Sequence, residues 1–272
     1  MNVLSLFDGM SCGQIALDRL GITVKNYFAS EIDKYAIKVA QQNFPGTIHL
    51  GDVREIQTSG THLMDEFDCG HKIDLLIGGS PCQGFSFAGK QLNFDDPRSQ
   101  LFFEYVRLLK ALKPKYFLLE NVKMKKESMD VISEYLGVEP VAINSNLVSA
   151  QNRYRLYWTN IPFDGLPFDK GIMLKDILED GITDREKAHC IDANYFKGGN
   201  LKSYFEKHRR QLVFSADAPD AWRKLTPREC ERLQTVPEGY TNHVSNTQRY
   251  KMLGNGWTVD VIKHIFEGLR GE

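Results

Sequence analysis

Short apolar runs alternate with amphipathic segments along the first half of the chain. The apolar runs predict strands at residues 3–7, 27–30, 47–50, 73–77 and 116–119. The segments between them place apolar residues at helical spacing and predict helices at 11–20, 33–43 and about 99–112. Strands that alternate with helices in this way form a parallel sheet with helices on both faces. The first half therefore predicts a doubly wound α/β fold.

The alternation of predicted strands and helices is less regular in the second half of the chain. A helix at 127–136 and strands at 141–148 and 153–159 are predicted next. Residues 161–222 are polar, punctuated by glycine and partly basic, so they are predicted to form a small separate lobe. Helical spacing returns in the tail, where Pro227 marks a helix start. We therefore predict a first domain at 1–160, a small lobe at 161–222 and a C-terminal segment at 223–272 that returns to the first domain.

Composition is ordinary for a globular protein and excludes several classes. No run approaches eighteen apolar residues, and the first ten residues lack the basic start and long apolar core of a signal peptide. The five cysteines are scattered without a Cys-x-x-Cys pair, so neither a zinc site nor a disulfide framework is indicated. We therefore expect a cytoplasmic protein without a membrane span or a metal. The net charge of −1 does not by itself indicate nucleic-acid binding, although basic residues can cluster on one face.

A single cysteine follows the fourth predicted strand. Gly78 and Gly79 end the apolar run, and Pro81 fixes the backbone directly before Cys82. Doubly wound sheets bind their ligands at the carboxyl ends of the strands, so this cysteine lies where chemistry is expected. The alternative is a buried structural thiol, the common fate of a free cysteine. A nucleophile is favoured because other parts of the chain supply the partners that Cys82 would need.

Three features at strand ends indicate an adenosine-containing cofactor. The first strand ends in the turn FDGMSCG at residues 7–13, where backbone N–H groups can face a ligand at a helix N-terminus. Glu31 ends the second strand, where an acid can bind both hydroxyls of a ribose, and Asp52 ends the third, placed to accept from an adenine amino group. Neither the dinucleotide fingerprint nor a phosphate-binding P-loop is present. An adenosine site without phosphate machinery fits S-adenosylmethionine, although the turn alone would also fit a plain strand–helix connection.

The fifth strand and a later one carry groups that could assist Cys82. Glu120 closes the fifth strand, the expected neighbour of the fourth, so Glu120 and Cys82 should lie side by side. On the later strand, the period of two places Gln151, Arg153 and Arg155 on one face. Aimed inward, the arginines can bind carboxylate, phosphate or a pyrimidine carbonyl, whereas on a surface strand they would be solvated. A lone acid at a strand end could likewise be a solvated carboxylate.

One cysteine, one glutamate and one or two arginines around an adenosine site match the chemistry of cytosine methylation at C5. Cytosine is too electron-poor at C5 to attack a methyl sulfonium unaided. A thiolate that adds at C6 converts the ring into an enamine-like nucleophile, while an acid at N3 and donors at O2 stabilise the charge that develops. A neighbouring cation and the dipoles of the site should help to hold Cys82 as the thiolate.

The chain resembles the C5-cytosine DNA methyltransferases over nearly everything outside 161–222. The ordered motifs that carry the resemblance are FDGMSCG, ASEIDKYA, GDV, GGSPCQGFS, ENV, QNRYRLYW, RKLTPRECERLQ and LGNGWTV. The chain departs from the family at Ile32, where a tryptophan commonly packs on adenine, and at Gly256-Trp257, which replaces Ser-Val. With FDGMSCG, the latter change is similar to the mammalian de novo enzymes. Residues 161–222 look like a reduced target-recognition region, as in solitary or phage-type enzymes.

The resemblance implies a role for each matching residue. The catalytic residues would be Cys82 as nucleophile, Glu120 as the partner of N3, and Arg153 and Arg155 as stabilisers of the flipped base and the loop. The residues around S-adenosylmethionine, which would leave as S-adenosylhomocysteine, would be Phe7, Asp8, Gly9, Met10, Ser11, Cys12, Glu31, Ile32, Asp52, Val53, Pro81, Leu101, Asn255, Gly256 and Trp257. The contacts to DNA would come from Gln83, Ser86, Arg98, Arg209, Arg210 and Arg228.

The resemblance thus implies a DNA cytosine-5-methyltransferase that extrudes its base from double-stranded DNA in a bacterial or phage-infected cell. A cognate restriction endonuclease would fit as a cellular partner, and no oligomer is implied. An RNA cytosine methyltransferase is a rival, although nothing between the arginine strand and the tail resembles one. A catalytically silent DNA-binding regulator is disfavoured by the retained Cys82, Glu120 and arginines, and a nicotinamide dehydrogenase by the missing glycine fingerprint. The target sequence does not follow from the residues, because it depends on how loops of the lobe meet base edges.

Overall fold

The computed structural model describes residues 1–65, 67, 69–80, 97–218 and 221–270. The strands are β1 Asn2–Leu6, β2 Asn26–Ser30, β3 Ile48–His49, β4 Thr58–Ser59, β5 His62–Met64, β6 Gly70–Lys72, β7 Leu75–Gly78, β8 Tyr116–Val122, β9 Val141–Asn144, β10 Tyr154–Thr159, β11 Leu212–Phe214 and β12 Trp222–Lys224. The α-helices are α1 Cys12–Arg19, α2 Lys34–Asn43, α3 Pro97–Leu112, α4 Lys126–Leu136, α5 Leu201–Lys207, α6 Pro227–Leu233, α7 Asn246–Asn255 and α8 Val259–Phe266.

Within the described residues, seven strands form one sheet in the order β3-β2-β1-β7-β8-β10-β9. β1 pairs in parallel with β2 on one side and β7 on the other, and β7 pairs in parallel with β8. β10 runs antiparallel to both β8 and β9. The predicted α/β class is confirmed, and the strands of the first half are parallel, as predicted. No direction was predicted for β10, which is antiparallel. The connection between β9 and β10, residues 145–153, is too short for the crossover that a parallel pair needs, so the chain turns back directly.

Alternate side chains along the strands enter two hydrophobic clusters, one on each face of the sheet. Val3 and Leu75 belong to a cluster that includes buried side chains of α1 and α8, two helices that pack against each other. Leu4 and Leu76 belong to a second cluster with buried side chains of α3 and α4. Helices therefore cover both faces, as the doubly wound prediction requires.

Several strand boundaries differ from the predicted ones. β3 spans only two residues, β7 begins at Leu75, and β9 ends at Asn144 because residues 145–147 form a 3-10 turn that the Asn144 side chain caps. A small antiparallel sheet, β4-β5-β6, was not predicted. Its strands have two or three residues, too few to show an alternating pattern.

The stretch 161–222 contains α5, β11 and short 3-10 turns, and β12, which pairs with β11, begins at its last residue. Within the stretch the Gln211 amide donates to the Tyr204 hydroxyl at 2.9 Å. The N–H of Leu225, just beyond it, donates to the Tyr195 hydroxyl at 2.9 Å and so joins the stretch to the tail. Buried Ile177 and Tyr195 share a hydrophobic cluster with side chains of the C-terminal helices. The division of the chain at 160 and 222 stays a prediction.

The tail is helical, as predicted. α6 begins at Pro227, and the Thr226 hydroxyl caps it by accepting from the Glu229 N–H at 3.1 Å. The predicted helix start at Pro227 is therefore confirmed. Among the helices of the described ranges, none is long and apolar enough to span a membrane.

Candidate active site

A cavity of about 630 Å³ opens at the carboxyl ends of β1, β2, β7 and β8. β1 has β2 on one side and β7 on the other. The connections that leave the carboxyl ends of these strands go to opposite sides, and a crevice forms between them. Many residues predicted for the site line this cavity: Phe7, Asp8, Gly9, Cys12, Glu31, Ile32, Asp52, Val53, Leu101, Glu120, Arg153, Arg155, Asn255, Gly256 and Trp257. The predicted adenosine end and the predicted catalytic end thus share one cavity.

The turn after β1 takes left-handed backbone conformations, with φ of 57° at Phe7, 59° at Gly9 and 61° at Ser11. Asp8 lies within the turn, where its carboxyl accepts from the Tyr27 hydroxyl at 2.8 Å and from the Ser11 hydroxyl. Burial raises the pKa of Asp8 to about 6, although these hydrogen bonds act to lower it. Part of the Asp8 population is therefore uncharged near neutral pH.

Met10 and Ser11 were predicted to contact the cofactor, but both are buried and neither belongs to the cavity wall. The Ser11 hydroxyl instead donates to Asp8, and Ser11 occupies the N-cap position of α1 without a capping hydrogen bond from its side chain. Cys12 does reach the wall, yet burial raises the pKa of its thiol to about 12. Cys12 is therefore a neutral packing residue and not a nucleophile.

Glu31 is held by backbone N–H groups. Its Oε2 accepts from Gly9 N at 2.8 Å, and its Oε1 accepts from Ile32 N at 2.7 Å and Asp33 N at 2.8 Å. These bonds fix the carboxylate at the wall and leave lone pairs for hydroxyl donors. Ile32 is 73% exposed beside it, so an apolar side chain lies where a flat base could pack.

Asp52 forms a bidentate ion pair with Arg54. Arg54 Nε lies 2.9 Å from Oδ1 of Asp52, and Arg54 Nη2 bonds to Oδ2. The Arg54 hydrogen bonds lower the pKa of Asp52 to about 2, which keeps the carboxylate charged. An adenine amino group at Asp52 would have to share this carboxylate with Arg54 or displace it. No sequence signal pointed to Arg54, which also lines the cavity.

Four further polar side chains of the wall also carry no sequence signal: Asp33, Gln100, Gln248 and Lys251. Lys251 Nζ donates to Asp33 Oδ2 at 2.7 Å, which joins α7 to the start of α2 at the rim. The two residues are 218 positions apart, so only the folded chain reveals their pairing.

The segment that enters β10 alternates as the sequence predicts. Gln151 and Arg153 are buried, whereas Tyr154 is 44% exposed. Arg153 and Arg155 both line the cavity. Of the two alternatives that the sequence left open, the structure has both arginines facing inward and not on a solvated surface.

Glu120 lies across β1 and β7 from Glu31 and has a different partner at each carboxylate oxygen. Arg155 Nε forms an ion pair with Oε1 at 3.0 Å, and Trp257 Nε1 donates a hydrogen bond to Oε2 at 3.0 Å. Glu120 is only 8% exposed. Burial acts to lower the pKa of Arg155, yet the charge of Glu120 raises it above its ordinary value. The wall therefore holds a carboxylate that is paired with a guanidinium and accepts a hydrogen bond from an indole N–H.

The chain leaves β7 beside Glu120, because β7 and β8 are adjacent parallel strands. A Cβ atom at Gly79 would lie 3.1 Å from Glu120 Oε2, and Asn121 Nδ2 donates to the Ser80 carbonyl at 3.3 Å. The predicted proximity of these two strand ends is confirmed. Pro81, Cys82, Gln83 and Ser86 lie outside the described residues, and so does the side chain of Arg98.

Arg153 donates to backbone carbonyls from two parts of the chain. Its guanidinium lies 3.0 Å from Ile191 O, 3.1 Å from Gly254 O and 2.8 Å from Gly256 O, and the residue is 3% exposed. Nη1 also lies 3.3 Å from Cys190 Sγ. Burial lowers the pKa of Arg153. Arg153 thus connects β10 to the lobe and to the turn after α7.

Gln234 completes the anchoring of that turn. Its Nε2 donates to Leu253 O at 2.6 Å and to Gly256 O at 3.0 Å, and its Oε1 accepts from the Thr258 hydroxyl at 2.9 Å. The last carbonyls of a helix have no hydrogen-bond donor within the helix. At the end of α7, Gln234 and Arg153 supply these donors. Gln234 ends the motif RKLTPRECERLQ, but the sequence assigned it no role.

Among the described side chains, three arginines predicted for DNA contact, Arg209, Arg210 and Arg228, lie outside the cavity wall. Arg228 Nη1 is 2.6 Å from Glu179 Oε1, and Arg210 Nη1 donates to Gly198 O at 2.8 Å. Arg209 is the freest of them, 3.7 Å from a carboxylate oxygen of Asp192 and with 63% of its side chain exposed. Their assignment to DNA stays a prediction.

Comparison with known proteins adds to this geometry. The sequence matches the family described as C-5 cytosine-specific DNA methylase over residues 1–159 and 154–270. It is 32% identical to the type II methyltransferase M1.ScrFI of Lactococcus lactis subsp. cremoris, over 90% of this chain and 72% of that protein. It is 29% identical to the type II methyltransferase M.NlaX of Neisseria lactamica, over 98% of this chain and 96% of that protein.

The structure is similar to that of the methyltransferase EhMeth of Entamoeba histolytica. The TM-score is 0.73, and the alignment covers 99% of each chain. Because sequence identity is only 19%, this likeness shows a common fold alone.

Proposed function

The chain belongs to the C-5 cytosine-specific DNA methylases and is a DNA cytosine-5-methyltransferase, and from this premise we propose that it methylates a flipped-out cytosine of double-stranded DNA through a covalent bond between Cys82 and C6. The observation that carries the proposal is the shared cavity, which has Glu31 and Asp52 on one side and Glu120 and Arg155 on another. A methyl donor and a base could meet in it without crossing solvent.

The family implies S-adenosylmethionine as the methyl donor, and the wall residues fit it. The Glu31 carboxylate is fixed by three backbone N–H groups and keeps lone pairs for ribose hydroxyls. Asp52 is charged, and exposed Ile32 offers an apolar surface for adenine. When bound, S-adenosylmethionine supplies an electrophilic methyl group on a positively charged sulfur. In this proposal Glu31, Asp52 and Ile32 bind and orient the cofactor.

Nucleophilic attack is assigned to Cys82. Its thiolate forms an S–C6 bond while the C5–C6 π electrons move into the ring, and Glu120 shares a proton with N3 as charge develops there. Arg155, which stays charged beside Glu120, donates to O2. After C5 has gained the methyl group, its proton passes to solvent water, the S–C6 bond breaks, and the C5–C6 double bond is restored.

Arg153 is assigned a positioning role. Four contacts already occupy its guanidinium, three to carbonyls and one to Cys190, so few donors remain for a base. The proposal therefore gives the contact with the base to Arg155 and gives Arg153 the task of holding the wall together.

DNA is bound so that one base leaves the stack, at a cost of a few kcal/mol. Gln83, Ser86 and Arg98 are proposed to contact DNA near that base, and Arg209, Arg210 and Arg228 to contact it from the lobe. The chain is proposed to have three parts, 1–160, 161–222 and 223–272, and the second part is proposed to recognise the target DNA sequence. Contacts to phosphate would set affinity and not sequence choice.

The decisive experiment replaces Cys82 with serine. Cys82→Ser is expected to abolish methyl transfer to duplex DNA and to retain DNA binding. With S-adenosylmethionine and an oligonucleotide that carries 5-fluorocytosine at the methylated position, the wild-type enzyme is expected to form a denaturant-stable adduct, because fluorine cannot leave as the proton does. Cys69→Ser, at an exposed thiol, is the matched control and should behave as wild type.

Wild-type rates in Cys82→Ser, or no adduct despite demonstrated binding, would refute the covalent mechanism. The substrate assignment is tested by offering tRNA and duplex DNA side by side. Incorporation of labelled methyl groups into tRNA alone would overturn the choice of DNA.

A further inference from the structure

Trp257 joins the catalytic wall to the turn after α7. Its indole Nε1 donates to Glu120 Oε2 at 3.0 Å, while Arg155 Nε lies 3.0 Å from Oε1. One oxygen of the carboxylate is therefore in an ion pair and the other accepts a hydrogen bond, and the two partners come from different parts of the chain. The sequence pattern placed Trp257 only in the cofactor wall and gave no signal for this bond.

Two glycines leave space for the indole. A Cβ atom at Gly79 would lie 3.0 Å from Trp257 Nε1 and 3.1 Å from Glu120 Oε2. A Cβ atom at Gly13 would lie 2.4 Å from Ile77 Cδ1 and 3.6 Å from the Trp257 ring. A larger residue at position 79 would push directly on the pair formed by the indole and the carboxylate.

The backbone that carries Trp257 is also fixed. The carbonyl of Gly256 accepts from Arg153 at 2.8 Å and from Gln234 at 3.0 Å. Thr258, on the other side of Trp257, donates its hydroxyl to Gln234 Oε1 at 2.9 Å. Because the residues before and after Trp257 are held by buried side chains, the indole N–H has a defined direction.

We propose that Trp257 is a positioning residue that fixes the orientation of the Glu120 carboxylate toward the N3 edge of the flipped cytosine. The inference rests on the proposed role of Glu120. A carboxyl group held at one oxygen can turn about its terminal bond, which has only a broad preference. The ion pair with Arg155 at one oxygen and the Trp257 hydrogen bond at the other restrict that rotation, and the carboxylate keeps lone pairs for the base. The geometry needed in the transition state is thus set before the base arrives.

The kinetic test uses Trp257→Phe, which keeps an aromatic ring and removes the N–H. We expect kcat to fall about tenfold to hundredfold, the effect of losing one hydrogen bond to a charged group, with KM for S-adenosylmethionine within about twofold of wild type. If Trp257 only packed on the cofactor, its replacement would instead raise KM for S-adenosylmethionine and leave kcat unchanged. A raised KM with unchanged kcat would therefore overturn the proposal.

A spectroscopic test does not depend on turnover or on a folded Trp257 variant. The chain has three tryptophans, so its ¹H–¹⁵N spectrum has three indole signals. Glu120→Gln should move the Trp257 indole signal toward weaker hydrogen bonding. The Trp158 signal, whose N–H donates to Ser133 Oγ at 3.0 Å, is the internal control and should not move.

An unmoved Trp257 signal in Glu120→Gln would refute the inference. This outcome is distinguishable from failure of the proposed mechanism, because the spectrum reports the bond in the resting enzyme. The mechanism itself is judged by the adduct at Cys82.

Discussion

Replacing Arg153 with methionine tests whether this guanidinium binds substrate or holds the protein together. It donates to the carbonyls of Ile191, Gly254 and Gly256 and is 3% exposed. Methionine fills similar space and donates nothing. Gly256 O keeps the Gln234 amide at 3.0 Å, and Ile191 O keeps the Cys190 thiol, a weak donor, at 3.5 Å. Gly254 O is therefore the carbonyl that loses its side-chain donor outright.

The magnitude follows from Gly254 O and Ile191 O. A buried acceptor left without a partner costs ~1–3 kcal/mol, a cost that falls on Gly254 O and only in part on Ile191 O, which keeps the weak thiol donor. Methionine also avoids burying a charge, and the lowered pKa of Arg153 indicates that burial opposes that charge. We therefore expect Arg153→Met to lose about 1–3 kcal/mol of the free energy of unfolding. At about 2–3 kcal/mol per M of urea, the midpoint falls by about 0.5–1 M.

The assay is urea unfolding followed by circular dichroism, with binding of S-adenosylhomocysteine measured in parallel. Because Gly254 and Gly256 line the cavity, we expect weaker binding of the product as well. Arg107→Met is the matched control: Arg107 also donates to two carbonyls, Ile56 O and Val53 O at 3.2 Å, but 38% of its side chain is exposed. Water can replace its bonds, so the control should lose no more than about 1 kcal/mol.

Two outcomes for Arg153→Met separate the possible roles. A lower urea midpoint together with weaker product binding supports the positioning role. A wild-type midpoint with a large loss of kcat would refute the reasoning, because the guanidinium would then act on the substrate and not on the backbone.

Two further predictions concern acids of the cavity wall. Glu31→Gln places an amide donor against backbone N–H groups, and we expect S-adenosylhomocysteine to bind about tenfold to hundredfold more weakly by calorimetry, with exposed Glu55→Gln as an unaffected control. Affinity within twofold of wild type would contradict it. For Asp8, burial raises the pKa to about 6 from an unfolded value of 3.8, so the folded chain binds the Asp8 proton more tightly than the unfolded chain does. Protonation of Asp8 therefore stabilises the fold fully below about pH 4, and this stabilisation is lost as the pH rises to about 6. Asp8→Asn should therefore show its stability difference from wild type changing between pH 4 and 6, in the direction that favours the variant at higher pH; a constant difference would contradict this.

The strand ends of the site were predictable because their signals are local. An apolar run followed by an acid or a glycine turn is visible within ten residues, and parallel strands bring such ends to one edge. Glu31, Asp52 and Glu120 all line the cavity for this reason. The antiparallel direction of β10 could not be predicted from the alternation of buried and exposed residues, because that alternation is the same whichever way a strand runs.

The partners of those acids could not be predicted, for two different reasons. Trp257 lies 137 positions from Glu120 and reaches it only because the turn after α7 is folded over β8. Arg54 is two residues from Asp52, yet nothing in the sequence distinguishes a paired arginine from a solvated one. The same limit applies to Arg228, which belongs to a basic-looking motif but pairs with Glu179 from a distant segment.

Glu31 and Glu120, two of the carboxylates that line the cavity, are held in different ways, and this bears on how each can vary. Glu31 depends on backbone N–H groups, one of them from Gly9, whose φ of 59° is a conformation that glycine adopts without strain. Its environment is therefore fixed by turn geometry, and most side-chain changes nearby should leave it intact. Glu120 depends on the side chains of Arg155 and Trp257, so a single substitution at either position changes the environment of the carboxylate. The orientation of Glu31 is thus set by the backbone, whereas that of Glu120 is set by side chains.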